Sequence, residues 1–266
     1  MDVAAAQAYL DRIGATWPVT PDVESLADLQ EQHLHTVPFE NLSIHLGEPV
    51  VLEEQALLDK IVGRRRGGFC YEVNGLFGLL LGALGYQVTM HAARAAGPDG
   101  FGPPFDHLAL RVATPMSPWP WLVDVGFGTF SHRPLRLDSR SDQRDPGGRF
   151  QITDEDDGDV VILKDGLAEY RLERRPRDLT DFVPTCWWQA TSPKSHFTRS
   201  LVCSRLTERG RVTISGRILI ETIDGEKSER ALGDDDAAVL DAYREHFGFT
   251  LDKVPTLSEA QKSARP

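Results

Sequence analysis

Cysteine is scarce in this chain: 266 residues contain three, Cys70, Cys186 and Cys203. Three scattered thiols do not build a disulfide framework, which points to a reducing, cytoplasmic setting. Neither Cys-x-x-Cys nor His-Glu-x-x-His occurs, so no metal signature is present. His33 and His35 read as positions on a solvated helix rather than as metal ligands. Basic residues are the minority, 29 against 40 acidic, for a net charge of −11. That balance argues against nucleic acid or an anionic membrane as a partner, and any phosphate-bearing ligand would need a local basic patch. No apolar run approaches the roughly 20 residues that span a bilayer. The start, Met1-Asp2-Val3-Ala4, lacks the basic opening and apolar stretch of a signal peptide. No internal repeat is visible. What remains is an ordinary globular composition, long enough for one large domain or for two to three smaller ones sharing a core.

Apolar spacing predicts helices over residues 2–13, 22–36 and 53–62, with Tyr9, Leu10, Leu26, Leu29, Leu57 and Ile61 facing inward. A leucine-rich segment from Leu76 to Leu84 reads as a buried helix ended by Gly85. From Tyr86 the character changes. Short β-rich runs at 87–92, 108–112, 121–125, 150–153, 160–163 and 170–172 alternate with turn-rich segments, the pattern of a barrel or a strongly curved sheet. The acidic run Asp154–Asp159 is out of EF-hand register and reads as a solvated hairpin turn. Residues 176–200 look irregular and read as a linker. Strands return at 201–206, 211–215 and 217–221. A last helix follows at 235–246, and residues 255–266 read as a polar tail. Cys186 and Cys203 read as packing residues. This order gives an α+β chain divided at 1–85, 86–200 and 201–266.

The most informative stretch is Arg66-Gly67-Gly68-Phe69-Cys70-Tyr71-Glu72-Val73-Asn74. It sets one cysteine after a glycine-rich turn and at the start of a helix, where the dipole and unpaired N–H groups favour a thiolate. Gly67 and Gly68 would allow unusual backbone angles and close approach. His107 and Asp124 each lie in or beside an apolar, strand-like run, where an unpaired polar group is costly. Paired with each other, they would complete a Cys–His–Asp set: a nucleophile, a base to accept its proton, and a carboxylate to orient the base. Arg66 would need a carboxylate if buried, and Glu40 is the candidate.

Arg66–Cys70, His107 and Val123-Asp124-Val125-Gly126-Phe127-Gly128, in that order and at those separations, resemble the arylamine N-acetyltransferases. The resemblance extends to Val37-Pro38-Phe39-Glu40-Asn41-Leu42 and to Ser192-Pro193-Lys194-Ser195-His196-Phe197, and so covers most of the chain. It implies a helical bundle, a central β-barrel and a C-terminal α/β lid around a cysteine-protease-like catalytic core. It places Cys70, His107 and Asp124 in the catalytic positions and Glu40 with Arg66 in a structural clamp. It also implies acetyl-CoA as co-substrate, with no bound cofactor, and an arylamine or hydrazine as acceptor. Phe39, Phe69, Tyr71 and Phe127 are the aromatic candidates for the acceptor's wall. Gly126, Phe127 and Gly128 are the candidates beside the thioester arm.

Three other readings compete. Amide synthases that close macrocycles resemble the same family and take their acyl group from a carrier protein. A papain- or transglutaminase-type hydrolase uses the same residue order, although 37 residues between Cys70 and His107 fit papain-like spacing poorly. A non-catalytic binding module would leave Cys70 inert.

Overall fold

The chain opens on two helices that form where the capping signals place them. Asp2 accepts from the Ala5 N–H ahead of the Val3–Ile13 helix, and Asp22 caps Val23–Thr36 in the same way through Ser25. The computed structural model describes residues 1–257. A short helix at Leu42–Leu46, absent from the sequence expectation, follows the two-residue strand Phe39–Glu40. The 53–62 helix is helical only over Glu54–Leu58 and then widens into a π-turn at Asp59–Gly63.

The next helix organises the molecule. It spans Cys70–Ala83, so it begins six residues before the leucine run that revealed it. It is apolar nearly all round and lies buried in the main hydrophobic cluster, as such a helix must. One side meets the helices Val3–Ile13 and Glu54–Leu58, and the other meets the strands Gln87–Gly97 and His107–Thr114.

Those strands belong to a nine-stranded antiparallel sheet that curls into a barrel. Along His107–Thr114, Leu108, Leu110 and Val112 face the helices, while Ala109 faces the barrel interior. The period-2 rule puts His107 and Arg111 on that interior side too. The two ends of the sheet, Leu135–Arg136 and Gln143–Asp145, share no backbone ladder. The Gln143 side-chain amide spans the gap, accepting from the Arg136 N–H at 2.7 Å and donating to its carbonyl at 3.0 Å.

Residues 176–200 are not an irregular linker. After the long strand Leu167–Arg177 they form a 3-10 turn at Leu179–Phe182 and helices at Val183–Thr191 and His196–Arg199. Pro184, in the first turn of its helix, is placed where a missing N–H costs nothing. A four-stranded meander then runs from Val202–Thr207 to Glu226–Ala231 and packs with the helix Asp236–Phe247 around its own cluster. The sequence missed Glu226–Ala231 because all six residues are exposed and four are charged, so it carries no apolar alternation. Phe39–Glu40 pairs with Val202–Thr207, and Leu42 and Leu46 enter the C-terminal cluster, stitching the two ends of the chain together. Cys186 and Cys203 are buried packing residues.

Two further expectations change and one holds. His33 is not solvated: it is fully buried, with its Nδ1 3.0 Å from the Tyr9 hydroxyl and its ring against Phe77. Asp154–Asp159 does turn a solvated hairpin, in which Asp154, Asp157 and Asp159 pair with Arg140, Arg171 and Arg174. Of the predicted tail, Leu257 packs on the C-terminal cluster beside Val254, and 258–266 lie outside the described residues. No helix among the described residues is long and apolar enough to cross a membrane.

Candidate active site

Cys70 is the first residue of its helix. The preceding turn is drawn tight against Pro38, and a Cβ on Gly67 would fall 1.8 Å from the Pro38 carbonyl oxygen. At Gly68 a Cβ would meet Glu72 at 2.6 Å. Neither glycine has a positive φ, so close approach, not an unusual backbone angle, requires them. Glu72 reaches back to accept from the Phe69 N–H at 3.2 Å.

The turn is braced by buried charge. Arg66 grips Glu40 through Nη2 at 2.8 Å and Nε at 3.0 Å. The other Glu40 oxygen accepts from the Leu42 N–H. Lys60 adds a second buried pair, 2.7 Å from Glu72 and 3.7 Å from Glu40. Burial pushes Glu40 up, but the Lys60 and Arg66 charges outweigh it and leave its carboxyl below the ordinary range. For Glu72 burial wins, and the carboxyl is raised. The Glu40–Arg66 clamp was legible in the sequence. Lys60 and Glu72 were not, because each reads alone as a helical surface residue.

His107 opens its strand, and Asp124 follows the neighbouring strand Ser117–Val123. His107 Nε2 lies 2.7 Å from Asp124 Oδ2, and both side chains are buried. The nitrogen left for another partner is therefore Nδ1. The second Asp124 oxygen accepts from the Gly126 N–H at 2.9 Å and from Asn74 Nδ2 at 2.8 Å. Asn74 also donates to the Leu108 carbonyl at 2.7 Å and accepts from the Val125 N–H at 2.9 Å. It stands four residues after Cys70, on the same face of the helix. One amide thus ties the helix that carries the thiol to both strands that carry the histidine and the carboxylate. Sequence reasoning quoted Asn74 inside the motif and gave it no role.

Gly126 closes the arrangement from the other side: a Cβ there would meet the Cys70 Cα at 2.7 Å. The Cys70 thiol is pushed well up by burial. The Leu108 backbone N–H opposes that rise, and the Asp106 and Asp124 carboxylates add to it. Burial thus works against the thiolate that the helix start favours. Ionisation needs a base that keeps the proton nearby.

The aromatic candidates separate. Phe69 and Tyr71 are fully buried. The Tyr71 hydroxyl donates to the carbonyls of Phe105 and Asp106, at 2.7 and 3.0 Å, and so fixes the approach to His107. Neither residue offers surface to a ligand. Phe39 and Phe127 are only partly covered. Phe127 sets its ring edge-on to His107, with centroids 4.9 Å apart. Phe197, which the sequence did not single out, packs between Phe39 and Phe69. Asn41 holds its segment by donating to the carbonyls of Phe197 and Ser200.

The carbonyl of Gly128 accepts from Arg211 of the C-terminal sheet at 2.9 Å. Arg211 and Arg205 line a cleft of about 570 Å³ together with His35 and Arg209. Arg205 donates to the carbonyls of His35 and His246. Among the described residues neither Arg205 nor Arg211 is paired with a carboxylate, and burial lowers the pKa of both. Glu208 and Glu221 line the cleft as well, and Arg209 is paired with Asp224, so among the described residues Arg205 and Arg211 are its unpaired cations.

A sequence model described as N-acetyltransferase matches residues 22–255. The arylamine N-acetyltransferase of Mycobacterium tuberculosis is 39% identical over 254 residues, covering 92% of this chain and 89% of that one. The Escherichia coli enzyme of the same name is 30% identical over 251 residues, covering 92% and 88%. The Mycobacterium marinum arylamine N-acetyltransferase, solved in complex with CoA, superposes with a TM-score of 0.83 at 36% identity, over 92% of each chain. With the cysteine at the head of the buried helix and the histidine–carboxylate pair on the barrel, these likenesses show that the chain belongs to the arylamine N-acetyltransferase family.

Proposed function

We propose that this protein transfers acetyl groups from acetyl-CoA to arylamines and hydrazines through an acetyl-Cys70 intermediate. The observation that carries the reading is the 2.7 Å His107–Asp124 contact, tied through Asn74 to the helix that Cys70 begins. The CoA complex of the M. marinum relative supports the donor.

In the first half-reaction the Cys70 thiol gives its proton to His107 Nδ1, and Asp124 balances the imidazolium that forms. Transfer to a neighbouring base removes the burial penalty on an isolated thiolate. The sulfur attacks the thioester carbonyl, and backbone N–H groups near Cys70 receive the developing oxyanion. The carbon–sulfur bond to CoA breaks, and the departing thiolate takes the proton from His107. In the second half-reaction the acceptor nitrogen attacks the acetyl-Cys70 carbonyl and passes a proton to His107. The thiol leaves, and the amide is released. Two separated transfers predict ping-pong kinetics. An arylamine suits this route because its nitrogen is largely unprotonated at neutral pH, and Phe39, Phe127 and Phe197 supply partly open aromatic surface for its ring.

In this reading the Arg205–Arg211 cleft receives the phosphates of the coenzyme. The chain divides functionally into residues 1–85 with the nucleophile, 86–200 with its base and carboxylate, and 201–266 as the cover that excludes water. Glu40 and Arg66 hold the nucleophile turn.

Mass spectrometry after exposure to acetyl-CoA alone tests the proposal. One acetyl group is expected on the peptide holding Cys70, absent in Cys70→Ala and removed by an arylamine. An unmodified Cys70 would overturn the donor assignment. In a kinetic test, Arg211→Gln is expected to raise KM for acetyl-CoA more than it lowers kcat.

A further inference from the structure

The barrel has two mouths, and the proposed chemistry uses one. His107 lies at that end of the interior, beside Phe127 and Tyr170. Behind them Phe130, Phe150, Leu122 and Ile152 fill the lumen. Two interior positions further along the same strand comes Arg111, and beyond the apolar plug the lumen opens again. A cavity of about 270 Å³ lies there, lined by His91, Arg111, Arg140 and Arg174 above Val160 and Leu172.

The charges around this cavity do not cancel. Two carboxylates reach its wall, Asp138 and Glu173. Each is bonded to an arginine outside the lining: Asp138 to Arg136 at 2.9 Å, and Glu173 to Arg177 at 2.6 Å. Arg140 and Arg174 share one acid, Asp154, at 2.7 and 2.8 Å. Arg111 is half-buried, and among the described residues no carboxylate forms an ion pair with it. Three guanidinium groups thus stand against one acid, in a protein whose net charge is −11. His91 is buried, with Nδ1 2.9 Å from the Glu173 carbonyl and Nε2 2.9 Å from the Thr89 hydroxyl. Burial lowers its pKa, which disfavours a further positive charge on this wall.

We propose that this second mouth of the barrel binds a small tetrahedral oxyanion, the phosphate group of free phosphate or of a small phosphomonoester. Arg140 is already engaged, with Nε and Nη2 on Asp154 and Nη1 on the carbonyls of Leu137 and Ser139, so it contributes charge while Arg111 and Arg174 offer donors to the oxygens of such a group. Arg111 comes from His107–Thr114, Arg140 from the loop after Leu135–Arg136, and Arg174 from Leu167–Arg177. A bound phosphate would tie these elements across the barrel end. The site is independent of the acetyl-transfer reading, and the space is too small for a coenzyme.

The test follows thermal unfolding of the whole protein in sodium phosphate, against sodium chloride at matched pH and ionic strength. A saturable rise in Tm is expected, retained in Arg211→Gln. In Arg111→Gln the Kd for inorganic phosphate should rise about tenfold or more, the loss of a charged hydrogen-bonding partner. Arg174→Gln changes a side chain 58% exposed, leaves Asp154 with Arg140, and should weaken binding severalfold, so it decides the matter if Arg111→Gln folds poorly. Glycerol phosphate in a parallel titration names the source, whichever of the two binds more tightly. A response that is absent, that never saturates, that survives in both Arg111→Gln and Arg174→Gln, or that disappears in Arg211→Gln alone overturns the site.

Discussion

Asn74 Nδ2 donates to Asp124 Oδ1 at 2.8 Å, while Asp124 Oδ2 meets His107 Nε2. The carboxylate is therefore aimed by the helix that carries Cys70, and the thiol and its base are positioned by one shared side chain. Asn74→Ala is expected to lower kcat/KM for acetyl transfer by roughly two orders of magnitude, the scale set by misplacing reacting groups by about 1 Å. Near-UV circular dichroism should remain close to native. Asn74→Asp should do worse than alanine, because it sets a second carboxylate against Asp124.

Gly126→Ala tests the close approach on the other side of the nucleophile. The new methyl would meet the Cys70 Cα at 2.7 Å and Asn74 Nδ2 at 2.8 Å, both held by surrounding structure. The rate of Cys70 alkylation by iodoacetamide at neutral pH is expected to change together with a large loss of acetyl transfer. An unchanged alkylation rate would show that the loop yields freely.

Lys60→Met should be more damaging than its sequence position suggests. It strands the buried Glu72 carboxylate and removes one of the two cations facing Glu40. Breaking a buried pair on one side costs about 3–5 kcal/mol, read as a lower midpoint in urea. The double variant Lys60→Met, Glu72→Gln should recover part of that loss.

His33 gives the protein a pH dependence of known sign. Burial first, and the Arg12 charge second, lower its pKa from the ordinary 6.5 to about 3. The unfolded chain therefore binds this proton below pH 6.5 and the folded chain does not, so stability is present above 6.5 and falls as pH drops toward 3. From pH 7 to pH 5 the loss is about 2 kcal/mol. Denaturation at both pH values should show a loss about 2 kcal/mol smaller in His33→Gln than in the native protein, the shifted His45, His91, His132 and His196 contributing equally to both.

The reach of the sequence followed how locally each feature is encoded. The first two helices were legible in their apolar spacing, and Asp2 and Asp22 cap them within three residues. Cys70, His107 and Asp124 were legible because a polar residue in an apolar run calls for a partner, and Glu40 with Arg66 for the same reason. The segment 176–200 was misread because its helices are short and Pro184 sits in a first turn, where it looks like a breaker. Asn74, Lys60 and Glu72 escaped because their partners lie 12 to 51 residues away and their residue types are common on helix surfaces. Tyr71 and Phe69 were candidates for ligand contact from their place in the nucleophile motif and from the resemblance. Burial removed them, and no local pattern distinguishes a wall from a core.

The ring is latched at one seam by two side chains: Gln143 bonds Arg136, and Asp145 accepts from the His132 and Arg133 N–H groups at 2.8 and 3.0 Å. Every other neighbouring pair of strands around the lumen must break a ladder to part, whereas this seam needs only those two side chains to turn away. Slow widening of the cylinder would therefore begin at that point. Water would enter first behind Leu137, on the arginine-lined side, and the aromatic plug would keep the thiol end dry.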